Sequence, residues 1–372
     1  MRVRIILSCV LLVAADDIRA IQVRLSETNV SELEIDKQVL TLTPEQVPKL
    51  IERAMSDDIE AQCVLGVAYE HGSSVPRDNA QAINWLTKAA VRGDAWVQNL
   101  LGGLYRRRGS VPQDYSEAFK WFRAAAEQHY PPAADNLGYM YLNGIGVTKE
   151  YTEAAHWYAV GAAEGYTPAQ NNLAQLYEHG LGVHKDYTAA LNLYRQAAQK
   201  GLASAQNNLG AMYEAGLGVS KDYAEAVKWY RASAEQGDPV GQSNLALMYA
   251  HGQGVQLDYR EAAQWYARAA ESGYAPAQGR LAQLYETGLG VPLDYVAAYS
   301  WYARATFGGN KASQQAIALL SQRMTAKQLG AARSGLLNQE LADEAPEGRA
   351  KRMICSVVSI RSSKVSCIIL KK

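Results

Sequence analysis

Residues 179–183 read His-Gly-Leu-Gly-Val. Two glycines between helix-like segments form the kind of turn whose backbone N–H groups can cradle a phosphate. His71, His179 and His251 are candidate metal ligands, since imidazole is a common zinc donor. Asp114, Asp222 and Asp258 each stand three residues before a glutamate, Glu117, Glu225 and Glu261, and carboxylates in pairs can run acid–base chemistry. Arg106-Arg107-Arg108 is a short cationic run suited to an acidic partner. No Gly-x-Ser-x-Gly, His-Glu-x-x-His or Ser-x-x-Lys occurs, so the common signatures of serine hydrolases, zinc proteases and lactamases are missing.

Most of these candidates recur, and the recurrence changes their meaning. Leu-(Gly/Ala)-x-x-Tyr begins at Leu65, Leu101, Leu137, Leu173, Leu209, Leu245 and Leu281, each 36 residues after the last. Trp85, Trp121, Trp157, Trp229, Trp265 and Trp301 keep the same phase, with Leu193 in the fourth copy. A self-similar period of this length marks a repeat architecture. The glycine turn itself occurs after Asn143, His179, Ala215, His251 and Thr287. A nucleotide site needs one such loop, and no Gly-Lys-Ser/Thr follows any of them, so the turn is read as punctuation. Its first glycine ends a helix in the left-handed conformation and its second helps the chain reverse.

Each unit reads as two helices. Ala169, Leu173, Leu176 and Tyr177 share one face of a first helix; Ala226, Trp229, Tyr230 and Ser233 share one face of a second. The small residue after each Leu (Gly66, Gly102, Gly138, Ala174, Gly210, Ala246, Ala282) lets neighbouring helices approach. The Asp-x-x-Glu pairs are variants of the capping box at the start of the second helix. The three histidines share one repeat position, and helices pack about 8–10 Å apart, so units two repeats apart lie on the order of 20 Å from each other. Zinc ligands sit about 2 Å from the ion. No shared ion can link them, and they are read as solvated helix-end residues favoured by the macrodipole.

The segment AQNNLGAMYEAGLGVSKDYAEAVKWYRASAEQGD (Ala205–Asp238) resembles the Sel1-like repeat, a relative of the tetratricopeptide repeat, almost position by position. The resemblance covers residues 61–309, giving seven repeats. It implies an all-α, right-handed α/α superhelical solenoid of helix-turn-helix units. It also implies an adaptor role, typically in bacterial secretion, envelope assembly, host interaction or signalling. Some disulfide-bearing members have been described as β-lactamases or penicillin binders, but their paired helix cysteines have no counterpart here, where Cys63 is the only cysteine of the repeats.

The flanks read as caps. Thr43-Pro44-Glu45 starts a helix running to about Met55, in the phase of a second helix, within an N-terminal segment 21–60. Residues 310–341 form a degenerate closing repeat in which Ile317 takes the Leu position, Ser321 replaces Tyr, and Thr325-Ala-Lys-Gln328 starts a helix early. The tail 342–372 departs from all of this, and its apolar stretches could pair as a hairpin or stay unordered.

Composition sets outer bounds. The 37 basic and 37 acidic residues cancel, so no global field draws the chain to nucleic acid or an anionic membrane. Arg2 and Arg4, then an apolar run from Ile5 to Ala15, then Ala20, read as a signal peptide over residues 1–20. That run is short of the roughly 20 residues needed to span a bilayer. Export to the periplasm or beyond is therefore expected, with no transmembrane span after cleavage. Removing Cys9 with the signal leaves Cys63, expected free and buried, and Cys355 and Cys367, the two candidates to pair in an oxidising compartment.

The reading is an exported scaffold for a protein or peptide partner, with no catalysis and no cofactor. A cell-wall-ligand binder or lactamase-like envelope enzyme, and an architectural subunit of an export or polysaccharide assembly, stay open beside it. The recurring Gln170-Asn171-Asn172 and Gln206-Asn207-Asn208 either tie neighbouring repeats together or offer a polar ladder to a peptide on the concave face. The departures most suited to a partner are Arg106, Arg107 and Arg108, with Trp96 as a separate contact about 15 Å away along the same helix. The arginines also suit a helix C-terminus, with Gly109 left-handed and the helix one residue longer than in other copies.

Overall fold

The computed structural model describes residues 32–107 and 113–343, among which there are eighteen α-helices and no strand. The chain forms two compact units divided after Leu257. Described by itself, the first holds α1 (Glu32–Thr41), α2 (Val47–Met55), α3 (Ile59–His71), α4 (Asn79–Ala90), α5 (Ala95–Arg106), α6 (Tyr115–Ala126), α7 (Pro131–Asn143), α8 (Tyr151–Ala163), α9 (Thr167–His179), α10 (Tyr187–Gln199), α11 (Ala203–Ala215), α12 (Tyr223–Glu235) and α13 (Pro239–His251). The second holds α14 (Tyr259–Glu271), α15 (Ala275–Thr287), α16 (Tyr295–Phe307), α17 (Lys311–Arg323) and α18 (Ala326–Asp343). Within the repeats of each unit consecutive helices pack on one another, the arrangement of a Sel1-like solenoid, while the outermost helices α1 and α18 pack on α3 and α16. The expected signal peptide, Arg108, Gly109, Cys355, Cys367 and the apolar stretches of the tail lie outside the described residues.

Burial follows the periodicity. Leu65, Leu101, Leu137, Leu173, Leu209, Leu245 and Leu281 are buried, as are Tyr158, Tyr194, Tyr230 and Tyr302 of the second helices. A Cβ on Gly102 would lie 2.8 Å from the Phe122 ring and one on Gly138 2.7 Å from the Tyr158 ring. The small residue is thus a packing requirement. Cys63 is free and fully buried, and burial pushes its thiol up to about 12.

The second helices start on aspartate except α8, where Glu150 makes no cap bond, and only half of the expected capping box forms. The Asp222 carboxylate accepts from the N–H groups of Ala224 and Glu225, and Asp114 and Asp186 do the same in their repeats. Each such cap stabilises its helix by about 1 kcal/mol. The reciprocal arm is missing because the Asp222 N–H already donates to Tyr213 O and the Asp114 N–H to Tyr105 O. Glu117 and Glu225 face Lys120 and Lys228 instead. Complete reciprocal pairing uses glutamine, at the flanks. Thr43 N–H donates to Gln46 Oε1, and Thr325 N–H to Gln328 Oε1.

The turn glycines answer the phosphate question. Gly180 (φ +69°) closes α9 and donates to Leu176 O, as Leu181 N–H also does. Two of the turn's amides are thus already bonded to the helix end. Gly182 (φ +67°) lies against the backbone of Tyr151 in the preceding repeat. The turn is an inter-repeat contact.

The N-terminal flank holds one helix more than the periodicity suggests. The helix expected from Thr43 is present, with a 3-10 turn at Pro44–Gln46 before α2. Ahead of it α1, which the 36-residue pattern does not reach, packs on α3 through Ile35 and Val39. At the other end Ile317 is buried, and α18 follows α17 with no glycine turn between them.

Candidate functional site

The cationic run lies at the end of α5, and its members have different partners. Arg106 is the last residue of the helix, its guanidinium carbon 5.6 Å from the Phe122 ring centroid and 5.9 Å from that of Tyr139. Arg107 leaves the helix in extended conformation (φ −72°, ψ 143°), and its Nη1 pairs with the Glu70 carboxylate of the preceding repeat, itself only 2% exposed. This corrects the expected helix length. α5 has 12 residues against 13 in α3 and α7, because position 107 turns out of the helix to reach Glu70. The last turn keeps its expected positive charge. Trp96 is half-buried and packs against the cluster containing Val97 and Leu101.

Arg106 belongs to a coordinated change in the second repeat. In the fourth and fifth repeats the buried tyrosine of the second helix donates to a glutamate ending the first: Tyr194 Oη to Glu178 at 2.8 Å, Tyr230 Oη to Glu214 at 2.6 Å. Phenylalanine at 122 removes the donor and arginine at 106 removes the acceptor. A cation above an aromatic ring replaces the hydrogen bond.

The glutamines and asparagines divide their roles. Gln62, Gln98, Gln206 and Gln242 donate from Nε2 to the carbonyls of Ala54, Ala90, Ala198 and Ala234, eight residues earlier. They tie each first helix to the end of the second helix before it. The asparagines form a side-chain ladder instead. Asn136 Nδ2 donates to Asn99 Oδ1 (3.0 Å), Asn172 to Asp135 (2.8 Å), Asn208 to Asn171 (3.0 Å) and Asn244 to Asn207 (2.8 Å).

Asp135 is the exception in this ladder, a carboxylate where Asn99, Asn171 and Asn207 stand. Burial pushes its carboxyl up to about 6, against the opposing pulls of the Asn172 hydrogen bond and the Arg106 charge. No ion pair to Asp135 occurs among the described residues. On the same helix Tyr139 is exposed, at the position that is Gly103 one repeat earlier. A Cβ on Gly103 would meet nothing within 4 Å, so no neighbour requires that glycine. Arg106, Asp135, Tyr139 and Gly103 therefore gather on the first-helix face of the second and third repeats, and three of the four were not singled out from sequence. For Asp135 the signal was a departure from Asn99, Asn171 and Asn207, whereas the position of Gly103 and Tyr139 changes from copy to copy and carries none.

His71, His179 and His251 each end a first helix and are exposed. His179 Nδ1 bonds to Gln175 O at 2.9 Å. No cluster of His, Cys, Asp and Glu arranged to hold a metal occurs among the described residues, and no described helix is long and apolar enough to cross a membrane.

The Sel1 repeat profile matches residues 59–94, 97–130, 131–166, 167–202, 203–238, 239–274 and 275–306. Among solved structures, a Sel1 repeat protein from Oxalobacter formigenes is 32% identical, with TM-score 0.65 over 74% of this chain and 80% of its own. A protective antigen of uropathogenic Escherichia coli strains with an SLR fold is 25% identical, with TM-score 0.47 over 87% of this chain and 99% of its own. A search of curated protein sequences returned no significant match. Seven consecutive profile matches, carried by the helix pairs described above, place the chain in the Sel1 repeat family.

Proposed function

We propose that the chain is an exported, non-catalytic scaffold that binds a protein or peptide on the first-helix face of its second and third repeats. One observation carries the reading: Arg106 and Asp135 stand where other copies most often carry glutamate and asparagine, and the exposed Tyr139 lies beside them on that face. Specific recognition needs positions that differ between repeats, and these do. Export rests on the N-terminal Arg2, Arg4 and apolar Ile5–Ala15 pattern. The absence of catalysis rests on the missing nucleophile and zinc-protease motifs.

A photo-crosslinking residue at position 139, expressed in the native host, tests the binding face. It should trap a partner that the same residue at the exposed second-helix position 159 does not. Equal capture from both positions overturns the assignment. Sequencing of the mature protein should find an N-terminus near Asp16 or Ile21, and an intact Met1 removes the export claim. Hydrolysis of a chromogenic cephalosporin by the purified chain would remove the non-catalytic one.

A further inference from the structure

The glutamates near the ends of the first helices have a recurring partner. In the second unit Glu286, one residue from the end of α15, uses both carboxylate oxygens: Oε2 accepts from Tyr302 Oη at 2.9 Å and Oε1 from Arg323 Nη1 at 2.6 Å. Arg323 is the last residue of α17, 37 residues on. Its Nη2 donates to Tyr295 Oη at 2.7 Å, and its guanidinium carbon lies 4.9 Å from the centroid of that ring. In the first unit Arg107 reaches Glu70 across the same interval of 37 residues. Where the chain supplies an arginine at this place, the carboxylate takes it.

The fourth repeat keeps the acceptors and changes the arginine. Three repeats before Glu286, Glu178 Oε2 accepts from Tyr194 Oη at 2.8 Å, and Tyr187 opens α10 as Tyr295 opens α16. At the place of Arg323 stands Ala215, the exposed last residue of α11, whose side chain ends at Cβ. Among the described residues Glu178 Oε1 accepts no hydrogen bond, Glu178 forms no ion pair, and Tyr187 Oη is bonded to nothing. Both side chains are half-buried. The fifth repeat differs, because His251 holds the arginine position and Gln253 Nε2 donates to Tyr223 Oη at 3.4 Å.

The neighbouring charges define what can bind there. Lys185 Nζ lies 4.7 Å from the Tyr187 ring centroid, at the position that is Leu293 in the last repeat, and it is in no ion pair among the described residues. The Asp186 carboxylate is engaged by the N–H groups of Thr188 and Ala189. An incoming cation therefore meets Lys185 as a like charge and Glu178 and Asp186 as opposite ones. A planar guanidinium donates in two parallel directions, so a single group serves a carboxylate oxygen and a phenol oxygen together, as Arg323 does. An ammonium is a point charge without that fork. Glu178 Oε1 and Tyr187 Oη together select arginine.

We infer that Glu178 and Tyr187, beside Ala215, form a socket for an arginine side chain of a protein partner. This rests on the scaffold reading above and adds a second contact, two repeats beyond Arg106, together with the chemistry of the residue it takes. The probe is the tripeptide acetyl-Gly-Arg-Gly-amide, titrated into the full chain carrying ring-labelled tyrosine, with Tyr187 assigned by Tyr187→Phe. It should shift the Tyr187 and Tyr194 ring signals saturably. The citrulline counterpart, of the same shape but neutral, should bind about tenfold more weakly, and the lysine counterpart about threefold. Raising salt from about 50 to about 300 mM should weaken the arginine peptide. Glu178→Gln should weaken it about tenfold, and Lys185→Leu should tighten it about threefold by removing the like charge.

A further variant tests the socket from the side of the protein. Ala215→Arg gives the fourth and fifth repeats the arrangement that Arg323 has with Glu286 and Tyr295. It should raise the melting temperature by about 2 °C and abolish the shift caused by the peptide, and Glu178→Gln in the same chain should cancel the gain. A lower melting temperature in Ala215→Arg, undiminished peptide binding in that variant, equal binding of the citrulline peptide, or an unmoved Tyr187 signal each overturns the inference. If crosslinking at position 139 still captures a partner, the scaffold reading stands without the socket. If neither is seen, the scaffold reading falls with it.

Discussion

Gly182 lies against Tyr151 of the preceding repeat so closely that a Cβ at 182 would fall 2.2 Å from the Tyr151 carbonyl carbon and oxygen. The equivalent Gly218 would fall 2.5 Å from Tyr187 O, and Gly254 2.2 Å from Tyr223 O. The second glycine of each turn therefore fixes how near one repeat approaches the next.

That relation separates two glycines that look alike in sequence. Gly201 has φ +91° but nothing within 4 Å of its missing Cβ, so Gly201→Ala should cost only left-handed strain, about 1–2 kcal/mol. Gly182→Ala carries the same strain plus a backbone clash that no rotamer relieves, and should cost clearly more. Urea unfolding of the two variants decides the point, and equal midpoints would refute the contact.

The reverse experiment is offered by His129. It has φ +61° at the position where Gly93, Gly165 and Gly201 stand with positive φ in other repeats. His129→Gly should relieve left-handed strain while adding unfolded-chain entropy, for a net gain of about 0.5–1 kcal/mol. A lower midpoint in urea would mean that His129 makes a contact worth more than its strain.

Arg107 shows how much of the cationic run is structural. Glu70 is 2% exposed and Arg107 Nη1 is its partner. Arg107→Ser leaves a buried carboxylate with its other oxygen already unsatisfied, a loss on the order of 1–3 kcal/mol. Glu70→Gln in the same chain should recover most of it, since the charge that needed Arg107 is gone. Thermal melts of the single and double variants test this, and an unaffected single variant would return Arg107 to partner binding alone.

Asp135 makes stability depend on pH with a definite sign. Its folded carboxyl is raised to about 6 from an ordinary 3.8, so the folded state holds the proton more firmly than the unfolded one. Its contribution is most favourable below about 4 and is lost as pH rises through about 6. Asp135→Asn restores the residue type of Asn171 and Asn207, should stabilise by about 1–3 kcal/mol at pH 7.5, and should flatten the profile between pH 4 and 6. Urea midpoints across that range measure it; an unchanged slope would locate the titration elsewhere.

The fold was legible because the same small set of constraints is written seven times. Any one Leu, Gly or Asp is ambiguous, but Leu101, Leu137 and Leu173 at a fixed period leave only a helix-pair stack. The glutamine ties and the packing role of Gly102 and Gly138 followed from the same uniformity. What periodicity could not carry was anything that happens once. α1 lies ahead of the first repeat, the pairing of Arg107 with Glu70 depends on a conformation peculiar to α5, and the absent arm of the capping box depends on a backbone bond from Asp222 to Tyr213. The candidate site consists of such single events. Arg106 stood out because three arginines adjoin, whereas Asp135 differs from the pattern by one ordinary residue and the position of Gly103 and Tyr139 has no pattern to differ from.

The inter-repeat contacts predict which deletion the chain tolerates. Removing 203–238 takes out α11 and α12 together and joins Leu202 to Pro239. Gln242 then stands eight residues after Ala198, as Gln206 did, and can take over its bond to the Ala198 carbonyl. Asn244 inherits the place of Asn208 opposite Asn171, and Gly254 the place of Gly218 against Tyr187. Every contact across the new junction is one that the repeat already makes. Removing only 203–220 joins α10 to α12, two second helices in succession, and strips Tyr194, Ala197 and Ala198 of the Leu209 and Met212 that cover them. Because each pair is stabilised chiefly by its neighbours, the shorter deletion should be the more damaging. Circular dichroism should show parental helicity per residue and a cooperative melt for the 36-residue deletion. The half-repeat deletion should melt lower by on the order of 10 °C or lose its transition. If the two melt alike, neighbour-to-neighbour packing is not what holds the stack together.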